Sequence, residues 1–180
     1  ASDDVDFWKK IRKQFIYPSD YVYFNTGGIG AAPKVVLDMV EKTMRELEKY
    51  PRPGHDHEKW EQTKKTCTRF FGPDCTADEL ALTSTATEGI NDILNGLDLK
   101  AGDEVITSTH EHVALNLPLL NHAKRNGVII KTFDPDRNNG LNNVNLIKNL
   151  ITHKTRLIFH SHITCTTGQR LPIAEIGKMA

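Results

Sequence analysis

The sequence predicts an α/β domain built on a parallel sheet, preceded by a helical N-terminal segment. From Glu79 onward, short β-prone runs alternate with amphipathic helical stripes, whereas residues 33–71 show helical spacing without that alternation. A threonine-rich turn, Thr83 to Asn91, then falls between the first β-prone run and the stripe behind it, the place where open α/β sheets gather ligands.

Taken in order, Tyr21-Val22-Tyr23-Phe24 is an aromatic and β-branched run that breaks into Asn25-Thr26-Gly27-Gly28-Ile29-Gly30. The glycines there allow positive φ or close approach of backbone to a ligand. Pro33 suits a first helical position, and Val36, Met39, Val40, Thr43 and Leu47 follow at helical spacing as far as the breaker Pro51-Arg52-Pro53-Gly54. A second stripe, Trp60, Thr63, Cys67, Phe70 and Phe71, stops at Gly72-Pro73. Two helices thus fill a first region, 1–74, and the repeating units fill a second, 75–180. Strands are expected at 79–83, 104–107, 128–133 and 156–160. The helical stripes between them carry Ile90, Ile93, Leu94 and Leu97, then Val113, Leu117, Leu120 and Lys124, then Leu146, Ile147, Leu150 and Ile151. Starts about 25 residues apart leave room for one crossover helix each, so the strands run parallel with right-handed crossovers. Leu171-Pro172 opens a last helix that reaches Ala180 without a C-cap. A four-stranded sheet with an uncovered edge and apolar face reads as part of a larger domain.

Composition narrows the function classes. A formal net charge of zero and an isoelectric point near 7.3 lack the basic footprint of a nucleic-acid binder. No apolar stretch approaches the roughly 20 residues that span a bilayer. Cys67, Cys75 and Cys165 are odd in number and have no paired spacing, which fits reduced thiols and a cytoplasmic protein. The start at Ala1-Ser2-Asp3 fits either a trimmed chain or a mature end left by signal removal, so a periplasmic or secreted protein stays open. His55 with His57, His110 with His112, and His160 with His162 form three His-x-His pairs, but none has a carboxylate or cysteine at zinc spacing, and no metal is expected.

The most specific local feature is Thr83-Ser84-Thr85-Ala86-Thr87-Glu88-Gly89-Ile90-Asn91. Thr85 and Glu88 have capping-box spacing, and a helix start leaves amides that favour an anion, so a phosphate can sit there. An ordinary N-cap with no ligand is the competing reading.

STATEGIN is similar to the phosphate-binding turn of class V aminotransferases and cysteine desulfurases. AGDEVITSTHEHVALNLPL resembles the strand and loop whose aromatic or His side chain stacks on the cofactor ring in that family. HSHITCTTGQRLPIAEIG and YFNTGGIGAAP resemble a later segment of the fold and the N-terminal substrate loop, and the likeness runs from about Tyr21 to the last residue. The resemblance implies a partial large domain of the aspartate-aminotransferase-like fold type I, with pyridoxal 5′-phosphate as cofactor, a small amino acid as substrate and a homodimer as the intact protein. It assigns Thr85, Ala86 and Thr87 to the phosphate, His112 to the ring face, Thr164 and Cys165 to the neighbourhood of the phenolic oxygen, and Asn25, Thr26, Gly27 and Gly28 to the substrate. Desulfurases usually carry Asn where Cys165 stands, while the group resembling isopenicillin N epimerase tends to carry Ser. A thiol is the weaker donor, which favours the epimerase-like branch. The reaction implied is epimerisation, C–S cleavage or amino transfer. The Schiff-base lysine and the acid that pairs with the ring nitrogen are expected beyond Ala180, since Lys178 precedes the acid-bearing strand, so the 180 residues alone are expected to be inactive. The rival functions are a non-enzymatic module holding a phosphate ligand at Thr85 and a metal-binding domain built on the histidine pairs.

Overall fold

Asp4 accepts the amides of Asp6 and Phe7 through its side chain and so starts the first helix, α1 (Val5–Arg12). The computed structural model describes residues 4–52, 54 and 56–180, which fall into two units divided after Ala77. In the first unit α1 is an addition to the two helices expected, although an Asp cap followed by Lys9, Lys10 and Arg12 in the last turn is a legible helix signal. Pro33 precedes α2 (Lys34–Lys49) at the N-cap, one place before the first helical position expected and with no side-chain cap bond, and Asp56 caps α3 (His57–Cys67), which tightens into a 3₁₀ turn at Thr68–Phe70. Pro53 of the expected breaker and His55 of the first histidine pair lie outside the described residues. The amide of Lys34 donates to the carbonyl of Gln14, and the Arg12 guanidinium to the carbonyls of Pro18 and Tyr21, which ties the segment between α1 and α2.

In the second unit the central strand is β1 (Glu104–Ser108), all five of whose residues are buried. It pairs in parallel with β2 (Ile129–Phe133) on one side and β3 (Thr155–Ile158) on the other, giving the order β2-β1-β3 among the described residues. Parallel pairing follows from the helix between successive strands, as expected. Among the described residues the outer edges of β2 and β3 carry no further strand. The sheet thus has three strands and not four, because Glu79 ends a 3₁₀ turn (Ala77–Glu79) and residues 80–83 join no ladder. Leu80 and Leu82 are half-buried while Ala81 and Thr83 face solvent, so the alternation that suggested a strand is present without a pairing partner.

Side chains of β1 alternate between two cores. Val105 packs with Leu94 of α4 (Ala86–Gly96) and with Leu115 and Leu119 of α5 (Val113–Asn126). Ile106 packs with Ile147 of α6 (Asn142–Lys148) and with Ile176 of α7 (Ile173–Met179). Helices therefore cover both faces, the arrangement a buried parallel strand requires. The third stripe was expected to run helically through Ile151, but α6 stops at Lys148, and Leu150 and Ile151 enter the core from the turn that follows.

Two local devices hold the amino edge of the sheet. The buried Glu104 carboxylate accepts from Lys131 Nζ at 2.8 Å and from the hydroxyls of Thr152 and Thr155 at 2.6 and 3.2 Å, linking all three strands' starts. The Lys131 bond first, and the Thr152 hydroxyl next, hold this carboxyl below its ordinary value of 4.5. Gly127 ends α5 with φ of 70°, and its carbonyl accepts the amide of Gly102; a Cβ there would lie 3.0 Å from that of Ala101.

Gly127→Ala should lower the unfolding free energy by about 1–2 kcal/mol in denaturant titrations, the cost of a left-handed residue that bears a Cβ. Because the folded Glu104 is more acidic than the unfolded one, its stabilisation is present above the unfolded pKa and disappears as pH falls through the lowered folded value. Thermal melts at about pH 7 and about pH 3 should accordingly show a steeper acid loss for the wild type than for Glu104→Gln.

Candidate functional site

The start of α4 is built by its own sequence. Thr85, extended at φ −148°, caps the helix through its hydroxyl, which accepts the Glu88 amide at 3.1 Å. Glu88 returns a carboxylate oxygen to the Ser84 amide at 2.6 Å, a reciprocal box shifted one residue from the usual cap amide. Thr83 donates its hydroxyl to the Thr85 carbonyl at 3.1 Å. These bonds satisfy the Ser84 and Glu88 amides and leave those of Thr85, Ala86 and Thr87 without a protein partner among the described residues. The Thr87 hydroxyl is likewise unused, and all three residues are solvent-exposed. Open amides at the positive end of a helix suit an anion with several oxygens.

His112 caps α5 in the same manner. Its Nδ1 accepts the Ala114 amide at 3.1 Å, so the neutral ring carries its proton on Nε2, and the ring is exposed. The capping and the ring-facing readings of His112 are thus compatible, because the cap occupies one ring nitrogen and leaves the faces open. The two helix starts lie at one end of the unit. His122 of α5 bonds Asn95 of α4 at 3.2 Å across a separation of 27 residues, and Pro118 and Asn91, with the same offset, line one hollow between the helices. Thr85 and His112 also differ by that offset, so α4 and α5 run side by side in parallel with both N-caps at the carboxyl edge of β1.

The loop from β1 to α5 is fastened on both sides. Toward β2, the Thr109 amide donates to the Phe133 carbonyl at 2.9 Å and its hydroxyl to Asp134 at 2.8 Å; His110 Nε2 lies 3.4 Å from the same carboxylate. Toward β3, the buried Glu111 accepts from Ser108 Oγ at 2.5 Å, from the Ser161 amide at 3.0 Å and from Ser161 Oγ at 2.6 Å. Sequence reading missed Glu111 and Ser161. A Glu flanked by two histidines in a strand-end loop was the available signal, but its burial depends on the return of β3, about fifty residues on.

Thr164 and Cys165 lie in a turn after β3, closed by a bridge between Ile163 and Arg170. The Thr164 hydroxyl bonds that of Thr167 at 2.6 Å and accepts the Gln169 amide, so it works inside the turn; it is buried, whereas Cys165 is exposed. The adjoining Asp136 accepts the Asn142 side chain and the Asn139 and Asn138 amides, which together lower its pKa. Gln169 donates to the Asp136 carbonyl and so binds this turn to the end of β2. Asn25, Thr26, Gly27 and Gly28 belong to the first unit, in a turn where the Gly28 and Ile29 amides donate to the Asn25 carbonyl. No glycine of that turn has positive φ; Gly28 is instead approached by its neighbour, since a Cβ there would lie 3.0 Å from Asn25 Nδ2. Among the described residues no three His, Cys, Asp or Glu side chains are grouped to hold a metal, and no helix is long and apolar enough to cross a membrane.

The chain matches the family described as aminotransferase class-V over residues 22–180. It is 25% identical over 94% of its length to a probable cysteine desulfurase of Pyrococcus abyssi, and 27% identical over 96% to the isopenicillin N epimerase of Streptomyces clavuligerus. It spans 43% and 44% of those two proteins, less than half of either. Among solved structures it superposes with a TM-score of 0.77 at 26% identity on a lysine mutant of C-DES whose PLP cofactor carries covalently linked glycine, over 93% of this chain and 44% of that one.

Thr85→Ala should cost about 1 kcal/mol of stability through loss of the α4 cap, and the Glu88 amide should exchange faster with solvent in the same variant. Unaltered Glu88 exchange would show that the cap bond does not form.

Proposed function

Since the chain belongs to the aminotransferase class-V family, we propose that its second unit receives pyridoxal 5′-phosphate, with the phosphate on the amides of Thr85, Ala86 and Thr87 and the ring against His112. The observation that carries this reading is the parallel seating of two helix starts, one with open amides and one with an exposed imidazole face, at the carboxyl edge of one sheet. The donor set fits the cofactor. A phosphate dianion needs several N–H or O–H donors and no nearby lysine if the helix end supplies the charge, and a flat heteroaromatic ring needs a flat partner.

When bound, such a cofactor withdraws electrons from a bond at the α-carbon of an amino acid, and the protein's task is to fix which bond and which face. In this chain the Thr85 cap keeps the amides in place, the Thr87 hydroxyl adds a donor, and His112 holds the ring plane while its Nδ1 stays occupied by the Ala114 amide. Cys165 contributes an exposed thiol beside this edge of the fold, and Thr164 sets the turn that presents it. For the first unit we propose that the Thr26 and Gly27 amides, which have no protein partner among the described residues, meet the carboxylate of an amino acid. The full protein would act on an amino acid by epimerisation, C–S cleavage or amino transfer, as a homodimer. Cys165, in place of the Asn usual in desulfurases, supports the epimerase-like branch.

Pyridoxine 5′-phosphate has no aldehyde, so it tests the seat without reacting with surface lysines. Titrated into ¹⁵N-labelled protein, it should shift the Ala86 and Thr87 amides saturably, and inorganic phosphate should compete. Thr87→Asp should abolish the shifts while leaving the thermal midpoint unchanged or higher, because a carboxylate in the first turn suits the helix but repels phosphate. Saturable shifts that survive Thr87→Asp, or none at millimolar ligand, would remove the proposed seat.

A further inference from the structure

The geometry points to Glu111 as the positioning residue for His112, a clamp that sets the imidazole by spanning from the end of β1 to the exit of β3. This rests on the reading of His112 as the ring-facing side chain and adds to it a residue that touches neither cofactor nor substrate.

Glu111 is 6% exposed and has no basic partner among its hydrogen bonds. A carboxylate is kept in such a place only where donors replace its water. Here three do so, from two places on the sheet edge. Ser108 Oγ, at the last residue of β1, donates to one oxygen and at the same time accepts the His110 amide at 3.2 Å. The Ser161 amide and hydroxyl donate to the other oxygen from the chain leaving β3, fifty residues away in sequence. The Glu111 carbonyl then accepts Asn116 Nδ2 at 3.2 Å, which fastens the same residue to the first turn of α5.

The next residue in the chain is His112. Its ring can cap α5 only if the backbone at 111–112 enters the helix at the correct angle, since the Nδ1 to Ala114 bond is a contact between neighbours two residues apart. Thr109 fixes the β2 side of this loop and Glu111 the β3 side, and among the described residues no other hydrogen bond from the loop reaches the chain leaving β3. What the clamp requires is reach and acceptor oxygen, more than charge. Aspartate, one methylene shorter, keeps the charge and cannot bridge both serines. Glutamine keeps the length, offers one oxygen to Ser161, and can donate to the second lone pair of Ser108 Oγ, the first being taken by the His110 amide.

The test reads His112 in the cofactor-free chain, so its outcome is separate from that of the phosphate seat. Long-range ¹H–¹⁵N spectra of the ring should show an unprotonated Nδ1 and a protonated Nε2 in the wild type. Glu111→Asp should shrink the difference between the two ring nitrogen shifts by about half and release the Ala114 amide to roughly tenfold faster exchange. Glu111→Gln should restore both to within about threefold of wild type. Val128→Ala, which loosens the core away from this loop, is the control for general destabilisation and should leave the ring signals unchanged. Ser161→Ala, which removes one donor only, should move them in the direction of Glu111→Asp by less, and serves if Glu111→Asp does not fold. The clamp is refuted if the His112 nitrogens keep their wild-type shifts in Glu111→Asp and in Ser161→Ala, or if Val128→Ala alters them equally.

Discussion

Burial of β1 between two parallel neighbours is the constraint from which the site follows. A strand with no exposed residue must hand its backbone bonds to strands on both sides and its side chains to helices on both faces, and Val105 and Ile106 do the latter in opposite directions. Parallel neighbours force every connection to leave from the carboxyl edge and return to the amino edge. The consequence is a division of labour along the strand. Its first residue, Glu104, carries the ion pair and hydroxyl bonds that tie the strand to its neighbours, and the residues after its last, Thr109 to His112, form a fastened loop that ends in the exposed imidazole of His112.

The same constraint explains why two helix starts meet. Leu94, Leu115 and Leu119 all pack on the Val105 face, so α4 and α5 have to lie beside one another on it, and both descend from the carboxyl edge. Thr85 and His112 are different residue types, yet each spends one side-chain atom on a helix cap and keeps another surface free: backbone amides at the first, an aromatic face at the second. Capping and ligand binding are therefore not rivals at these positions. The cap is what holds the open amides and the ring still.

Much of this was legible in the residues. Helix punctuation by Pro33 and Gly72-Pro73, the strands around 104, 129 and 155, and the Thr85 to Glu88 box all rest on local chemistry that needs no tertiary information. The segment at 80–83 was misread because alternation reports burial of every second side chain and says nothing of a ladder, which only another strand can supply. Glu111 escaped notice for a related reason: its donors at Ser161 are distant in sequence, and a buried acid looks like any exposed one until β3 comes back beside β1. The Thr164 hydroxyl shows the reverse, where a residue that the resemblance assigns to the cofactor's neighbourhood is engaged with its own turn.

The outer edges of β2 and β3 raise a different matter, the protein's behaviour toward its own copies. Among the described residues neither edge has a strand beside it, and a strand edge left bare offers its peptide groups to any extended segment. On β3 the long cation Arg156, largely exposed and 3.5 Å from Asp103, opposes such stacking, whereas Lys131 on β2 is engaged with the Glu104 carboxylate. Laying a second β3 edge against the first would bring like charges together and strip their water. Arg156 is thus a side chain of the kind that guards a bare strand edge against a second copy of itself.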